Sequence, residues 1–556
     1  MCKSRRMSSG VVHAAVRGLG AVAIIAPVGL YVWYCAHYTV NVPHEDTWNW
    51  IPLAVAWKNG SITWAELWHL HTDNRMLVPK IVVLALAAVF GFNTKVDVGL
   101  SATMLVLAGG MIAHRIWAST RSVWGMVPVA WVLLSFVQWQ NTLWEFQVAW
   151  FLVLVCVVSA VLCIDAGDAL WRLGLAAVLA FVASVSSLQG LLIWPAVGVV
   201  LLLRKRPVSH LLYWGAGMVV ATCVYLHGFH FATNAGPSPL FAVEHPVETI
   251  LAFLVAVGNV IPIEGLMGSG VTGYVIPEMF GLLLSAVACA VGWIAWKDGC
   301  ENAFAGLGLV AFGILFDAVV AIGRVAYGLG ALEASRYTTY NLLMVAGLWW
   351  MIVTMWQFGN VPRSARVVSR MSFVPWVVVF VLALQVAVSL PYGIMAGRVW
   401  RNDSLFEADI VVNYKEVPAS LLVKYVYHPS AQYAQYVITV AKSARMSIFR
   451  SSLGRTFMKD GLLPGGVVPR DLPTPRSARG LMERNAIVRR AWTVLSGVYE
   501  SRADLRKEFP ERSSAFDQTL LQWALTSGMA PGGDAMYLTP YQSAFKALAA
   551  QVMEGR

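Results

Sequence analysis

Residues 145–165 read EFQVAWFLVLVCVVSAVLCID, an apolar run with an acid at each end and no charge between them. Its length matches the ~20 consecutive apolar residues that a helix needs to cross bilayer hydrocarbon. Comparable runs occupy roughly 18–40, 96–116, 122–139, 170–187, 189–203, 208–226, 276–296, 302–320, 340–357 and 372–391. Together they make about eleven transmembrane helices, so the expected fold class is an all-α polytopic membrane protein.

Composition points the same way. Of 556 residues, 58% are hydrophobic and 13% charged, with mean hydropathy +0.62, where a soluble chain carries about 25% charged residues. Many of the 24 tryptophans stand where apolar runs end, as at Trp48, Trp50, Trp139, Trp293 and Trp296. Membrane interfaces favour that placement, because an indole has an apolar body and one N–H that needs a wet partner. The net charge of +11 does not signal nucleic acid, since its basic residues flank apolar spans instead of interleaving with an aromatic platform. Of the seven cysteines, most lie inside apolar runs and none falls in 392–556. The basic N-terminus followed by the run Leu19 to Val40 reads as an uncleaved signal-anchor helix.

Two further apolar stretches, 76–92 and 247–263, are assigned by their charge flanks. Short cytoplasmic loops are rich in Lys and Arg. Treating both stretches as juxtamembrane helices on the outer face puts Arg115, Arg172, Arg204, Lys297 and Arg366 inside. The N-terminus is then inside and the C-terminus outside. The outer loops are 41–95, 138–144, 186–190, 227–275 and 321–339. At Pro391-Tyr392 charge returns, so 1–391 reads as a transmembrane domain and 392–556 as a mostly helical extracytoplasmic region, with an irregular connector through Pro464, Pro469, Pro473 and Pro475.

Chemistry concentrates in the first outer loop, Pro43-His44-Glu45-Asp46-Thr47-Trp48, followed by His69, His71, Asp73, Asn74, Arg75 and Lys80. A carboxylate can take a proton from an attacking hydroxyl, and a nearby cation can hold a departing phosphate. Asp46 is therefore the candidate general base, Glu45 its neighbour or substitute, and Glu145, at the next outer helix mouth, a second acid. Arg75, Lys80, Arg336 and Arg324 are the candidate phosphate cations, Arg being the better shaped for phosphate oxygens. His71, Asn74, Gln147, Gln189 and Tyr337 are candidates for sugar or acceptor contacts. Each charge taken singly also fits a solvated or snorkelling role. His69, His71 and Asp73 at i, i+2 and i+4 fit a solvated loop better than a metal site. No metal ligand set and no cofactor is assigned, and a divalent cation is compatible.

The order of first helix, Glu45-Asp46, amphipathic helices, Arg75-Met76-Leu77-Val78-Pro79-Lys80 and Phe90-Gly91-Phe92-Asn93 resembles the first loop of the GT-C membrane glycosyltransferases, which include aminoarabinose transferases and protein O-mannosyltransferases. Glu145 and Ser335-Arg336-Tyr337 are similar to further elements of that family. The resemblance covers residues 18–150 most fully. It lacks the Lys-Pro-Pro or His-Pro-Pro element of the best-known branches, which implies a divergent bacterial branch. It further implies a polyprenyl-phosphate-linked sugar donor, a glycan or protein acceptor such as O-antigen, a cell-wall polymer or pilin, and an inner-membrane location with the active site outside. The competing functions are a flippase or transporter for a lipid-linked sugar, an oligosaccharide ligase or polymerase, and a non-catalytic docking subunit.

Overall fold

The computed structural model describes residues 2–72, 74–229, 240–262, 274–357, 374–412, 414–415, 422–423, 426 and 430–455. Regular structure among them is helical, with one isolated bridge pairing His71 and Asn74. In chain order the helices are α1 (Cys2–Tyr38), α2 (Trp50–Lys58), α3 (Trp64–Trp68), α4 (Leu77–Phe90), α5 (Thr94–Thr120) and α6 (Val127–Leu133). Next come α7 (Trp139–Leu143), α8 (Val148–Asp165), α9 (Leu170–Ser184), α10 (Ile193–Leu203), α11 (Val208–Leu226) and α12 (Phe241–Glu244). The remainder are α13 (Pro246–Gly258), α14 (Val275–Lys297), α15 (Glu301–Arg324), α16 (Thr338–Gln357), α17 (Val374–Val412) and α18 (Ala431–Ser443).

Eight helices among the described residues are long and apolar enough to cross a membrane: those containing Gly18–Tyr38, Thr94–Thr120, Glu145–Asp165, Val208–Leu226, Val275–Lys297, Glu301–Tyr327, Ser335–Met355 and Leu382–Val412. The chain is thus an all-α polytopic protein. Three of the runs expected to span are folded differently. Run 122–139 forms the seven-residue α6 and then turns at Ser135, whose hydroxyl accepts from Val137 N at 3.4 Å. Runs 170–187 and 189–203 form α9 and α10, of 15 and 11 residues. At 1.5 Å per residue these are roughly 22 and 16 Å long. The stretches expected not to cross, 76–92 and 247–263, become α4 and α13, of 14 and 13 residues, likewise shorter than the ~30 Å of bilayer hydrocarbon.

Local chemistry explains the tight corner between α4 and α5. Gly91, at φ 70°, takes the left-handed conformation that ends α4. Two residues on, the Asn93 side chain accepts from Lys95 N at 3.2 Å and caps α5.

The charges sort to two ends. At one, Asp165 is clamped between Arg115 and Arg204, and Arg206 pairs with Asp168. At the other, the loops read as outer ones interlock. Asn74 Oδ1 accepts from Leu188 N at 3.0 Å, Gln140 N donates to Ser335 Oγ at 3.2 Å, and Asn259 Nδ2 donates to Leu332 O at 3.2 Å. Between the ends, α11 and α14 expose Leu212, Val219, Leu282 and Leu283, faces suited to lipid.

The helix expected to end at Pro391 does not. α17 runs for 39 residues through Pro391, roughly 58 Å, or about twice the thickness of the hydrocarbon. Glycines set its close approach: a Cβ on Gly393 would lie 2.1 Å from Phe136 Cβ, and one on Gly397 2.7 Å from Tyr38 Cδ2. Tyr34 donates its hydroxyl to Gly393 O at 2.7 Å. The second half of α17 is thereby carried over the loop that begins at Thr39. Beyond it, Ser447 N donates to Gly91 O at 2.9 Å, and α18 buries Val437, Ile438 and Ala441.

Candidate functional site

The first loop, the turn before α8 and α17 meet at His44. Its main-chain N–H donates to Glu145 Oε1 at 2.8 Å, and its Nδ1 lies 2.9 Å from Glu407 Oε2 on α17. Its Nε2 is 3.7 Å from Glu45 Oε1. The ring packs against Trp400 and Trp144, with centroids 4.6 and 5.7 Å away. Burial disfavours its charge, but the charge and hydrogen bond of Glu407, aided by Glu45 and Asp403, outweigh that and raise its pKa from 6.5 to about 10. His44 is therefore an imidazolium at neutral pH.

The two expected acids follow directly. Glu45 has φ 44°, a left-handed conformation that costs a non-glycine residue free energy. Its side chain is 37% exposed, the most open of the set. Asp46 lies beside His71, with Oδ2 to Nε2 at 3.2 Å, although the ring N–H is not aligned for a hydrogen bond. Thr72, next to His71, is also left-handed at φ 50°. Behind the acids Phe146 is packed by His71 and Trp50, each centroid 4.9 Å away. Glu145 is buried, and Asp97 in the first turn of α5 is close enough to interact with it electrostatically.

The expected cations divide into two groups. Arg75 and Lys80 are enclosed. Arg75 donates to the carbonyls of Tyr225 at 3.1 Å and Trp68 at 2.6 Å and to that of His227, with Trp68 stacked on its guanidinium at 4.4 Å. Lys80 Nζ donates to the carbonyls of Glu66, Leu67 and His69 at 3.2, 3.4 and 2.7 Å, all three at the C-terminal end of α3. Burial, and then the charge of Arg75, lower its pKa to about 8. In this structure Lys80 ties the first loop together and Arg75 ties it to the end of α11, both through backbone carbonyls. Arg336 is half-buried with its guanidinium 5.1 Å from the Tyr337 ring, and its main-chain N–H donates to Gln140 Oε1 at 3.1 Å. Arg324 is exposed at the end of α15, 5.6 Å from the Tyr327 ring.

Among the other expected contacts, Asn74 and Gln189 both receive the Ser187 hydroxyl, Asn74 at 3.1 Å, and so join the first loop to the 186–190 turn. Gln147 is buried in the turn before α8, and Tyr337 is buried with a hydroxyl that has no partner among the described residues. From Arg336 the chain of contacts runs through Gln140 to Trp139. Trp139 meets Trp400 at 5.9 Å, and Trp400 meets His44. Asp73 and His230 lie outside the described residues, among which no group of three or more His, Cys, Asp or Glu is gathered as for a metal.

Four residues of the cluster escaped the sequence reading: His44, Asp97, Glu407 and Trp400. His44 adjoins the two acids, which was a usable signal. Asp97 looks like an ordinary acid favourable to a helix N-terminus. Glu407 and Trp400 fall past Pro391, where a helix break is the ordinary expectation.

No protein-family model matches the chain, and neither a curated protein nor a solved structure matches it.

Proposed function

We propose that the chain is a GT-C type glycosyltransferase that moves a sugar from a polyprenyl-phosphate donor to an acceptor outside the cytoplasmic membrane of a bacterium. The observation that carries the reading is the convergence of Glu45, Asp46, His71 and Glu145 on one loop cluster at one end of the helical bundle. A lipid-linked donor lies in the bilayer and presents its phosphate at the surface, so a site at the helix mouths suits it. Asp46 removes the proton of the acceptor hydroxyl as that oxygen attacks the anomeric carbon. The lipid phosphate leaves with the bonding electron pair, and the single displacement inverts the anomeric configuration. Phosphate is already a good leaving group, which favours one base plus cations over the paired acid and base of glycosidases. Arg336 and Arg324 are the more open cations for that phosphate, with Arg75 and Lys80 behind the loop. Trp139 and Trp400 supply flat apolar faces between Arg336 and the acids.

In this reading run 122–139, α9 and α10 cross in addition to the eight long helices, making eleven spans, with α4 and α13 lying along the outer surface and residues 392–556 outside. A transporter of lipid-linked sugars is the second reading, and Asp317, buried within α15, is the observation on its side.

The test uses the purified full-length chain with a panel of polyprenyl-phosphate donors carrying a hexose, a pentose or an amino sugar. Release of free polyprenyl phosphate with sugar of inverted configuration supports the proposal. Movement of intact donor across vesicle walls without release would transfer the assignment to the transporter.

A further inference from the structure

The tail helix enters the site through one side chain, and the proposed chemistry does not use it. Glu407 is fully buried and accepts at both oxygens, Oε2 from His44 Nδ1 at 2.9 Å and Oε1 from Trp48 Nε1 at 3.4 Å. His44 and Trp48 flank Glu45 and Asp46 in sequence, so a single carboxylate holds both ends of the short turn carrying the two acids. Glu145 holds the same turn from the opposite side, through the main-chain N–H of His44. The restraint has a visible consequence. Glu45, between these anchors, has the left-handed φ of 44° that an unrestrained glutamate rarely adopts, and such conformations persist only where their surroundings over-determine them.

We propose that Glu407 is a positioning residue which acts through His44 to hold the Glu45–Asp46 turn in its working conformation, so that the proposed site is incomplete without the second half of α17. This rests on the glycosyltransferase reading for the meaning of "working", but the clamp itself rests on the contacts alone. The groups facing His44 are Glu407 and Asp403 from α17, Glu45 from its own turn and Glu145 from the start of α8. All are acids, and the rings of Trp400 and Trp144 pack against the imidazole. A charged His44 is thus held chiefly by Glu407, and loss of its charge weakens the clamp to neutral hydrogen bonds.

The expected signature is in the pH profile. With Glu407 present, His44 keeps its proton up to about pH 10, and the alkaline limb of the transfer rate falls there. In Glu407→Gln the limb moves down by more than one pH unit, kcat falls at neutral pH and KM for the donor stays within about twofold. Glu407→Asp restores part of the shift. In a His44→Gln background, Glu407→Gln adds no further change, since coupled residues fail to act additively. A second readout needs no turnover: hydrogen exchange over residues 41–50 in the full chain shows the same downward shift in Glu407→Gln.

Asp46→Asn separates the two ideas. If Asp46→Asn is inactive while Glu407→Gln keeps wild-type pH profiles in rate and exchange, the clamp fails and the enzyme reading stands. If Asp46→Asn and Glu45→Gln both keep the wild-type rate, the enzyme reading falls, and hydrogen exchange over 41–50 alone decides the clamp. Equal effects of Glu407→Gln with and without His44 would also overturn the clamp.

Discussion

His44 is where the charges of the site meet, and its titration should be measurable. Its folded pKa of about 10 lies above the ordinary 6.5. The stabilisation from its charge is therefore lost as pH rises from about 6.5 through about 10, and on the acid side it weakens as Glu407, whose own pKa burial raises to about 6, takes a proton. Hydrogen exchange over residues 41–50, corrected for the intrinsic pH dependence, should show protection declining across that window. Protection that stays constant to pH 11 would mean that Glu407 does not hold a charged ring. Lys80 contributes with the opposite sign. Its pKa is lowered to about 8, so the cost of keeping it charged disappears as pH rises through about 8 toward 10.5, and a global melting curve would mix the two effects. A second residue makes a stability test independent of the site. Asp317 is fully buried and interacts with Asn341, whose amide nitrogen donates to Ala256 O at 2.6 Å and whose oxygen has no donor among the described residues. Asp317→Asn brings an N–H to that oxygen, so we expect an unchanged or higher melting temperature, against the usual loss of about 1 kcal/mol for a core substitution. A clear drop would show that Asp317 has a partner the contacts do not reveal. At this scale the sequence was partly legible. Glu45, Asp46, Glu145 and His71 do meet, but only coordinates could show that Arg75 and Lys80 face carbonyls, because their acceptors are backbone groups with no sequence signature.

Elements decide which of these residues are brought together. α17 reaches the site because Gly393 and Gly397, four apart, let it lie against Phe136, Tyr34 and Tyr38. Gly397→Leu should push the helix away, costing about 1–3 kcal/mol from overpacking and separating Trp400 from His44. A lower melting temperature together with altered tryptophan fluorescence would record both. The expectation that the helix ends at Pro391 is not met. Proline removes one hydrogen bond and kinks a helix, but flanking packing on both sides can carry the helix through. The short α3 depends on Lys80 in a similar way. Lys80→Met strands three carbonyls, each costing about 1–3 kcal/mol if left unpaired, so thermal stability should fall whether or not a polyprenyl-phosphate donor is present. Weakened donor binding at unchanged stability would instead return Lys80 to the phosphate. Most helix positions were legible because their apolar runs are long. Run 122–139 was not, since hydropathy cannot register a turn at Ser135 that is closed by its own side chain.

For the whole molecule, the separation of charge to two ends is what gives the loop cluster a side. With the seven native cysteines replaced, Arg324→Cys should react with a membrane-impermeant thiol reagent added to whole cells, and Lys205→Cys should react only after permeabilisation. Reaction of both from outside would break the sidedness on which the donor geometry depends. Hydropathy and charge flanks made the polytopic helical architecture readable from sequence. The count of spans was less readable, because α9, α10 and α13 are apolar yet shorter than the hydrocarbon is thick. The measurement that tests the account most directly is sugar transfer from a polyprenyl-phosphate donor by the purified full-length chain, comparing wild type with Asp46→Asn and Glu45→Gln, with donor binding followed on the same samples. Removing the base should slow transfer by Asp46→Asn about 10²–10⁴-fold while donor binding and folding persist. Near wild-type transfer by both variants would contradict the account.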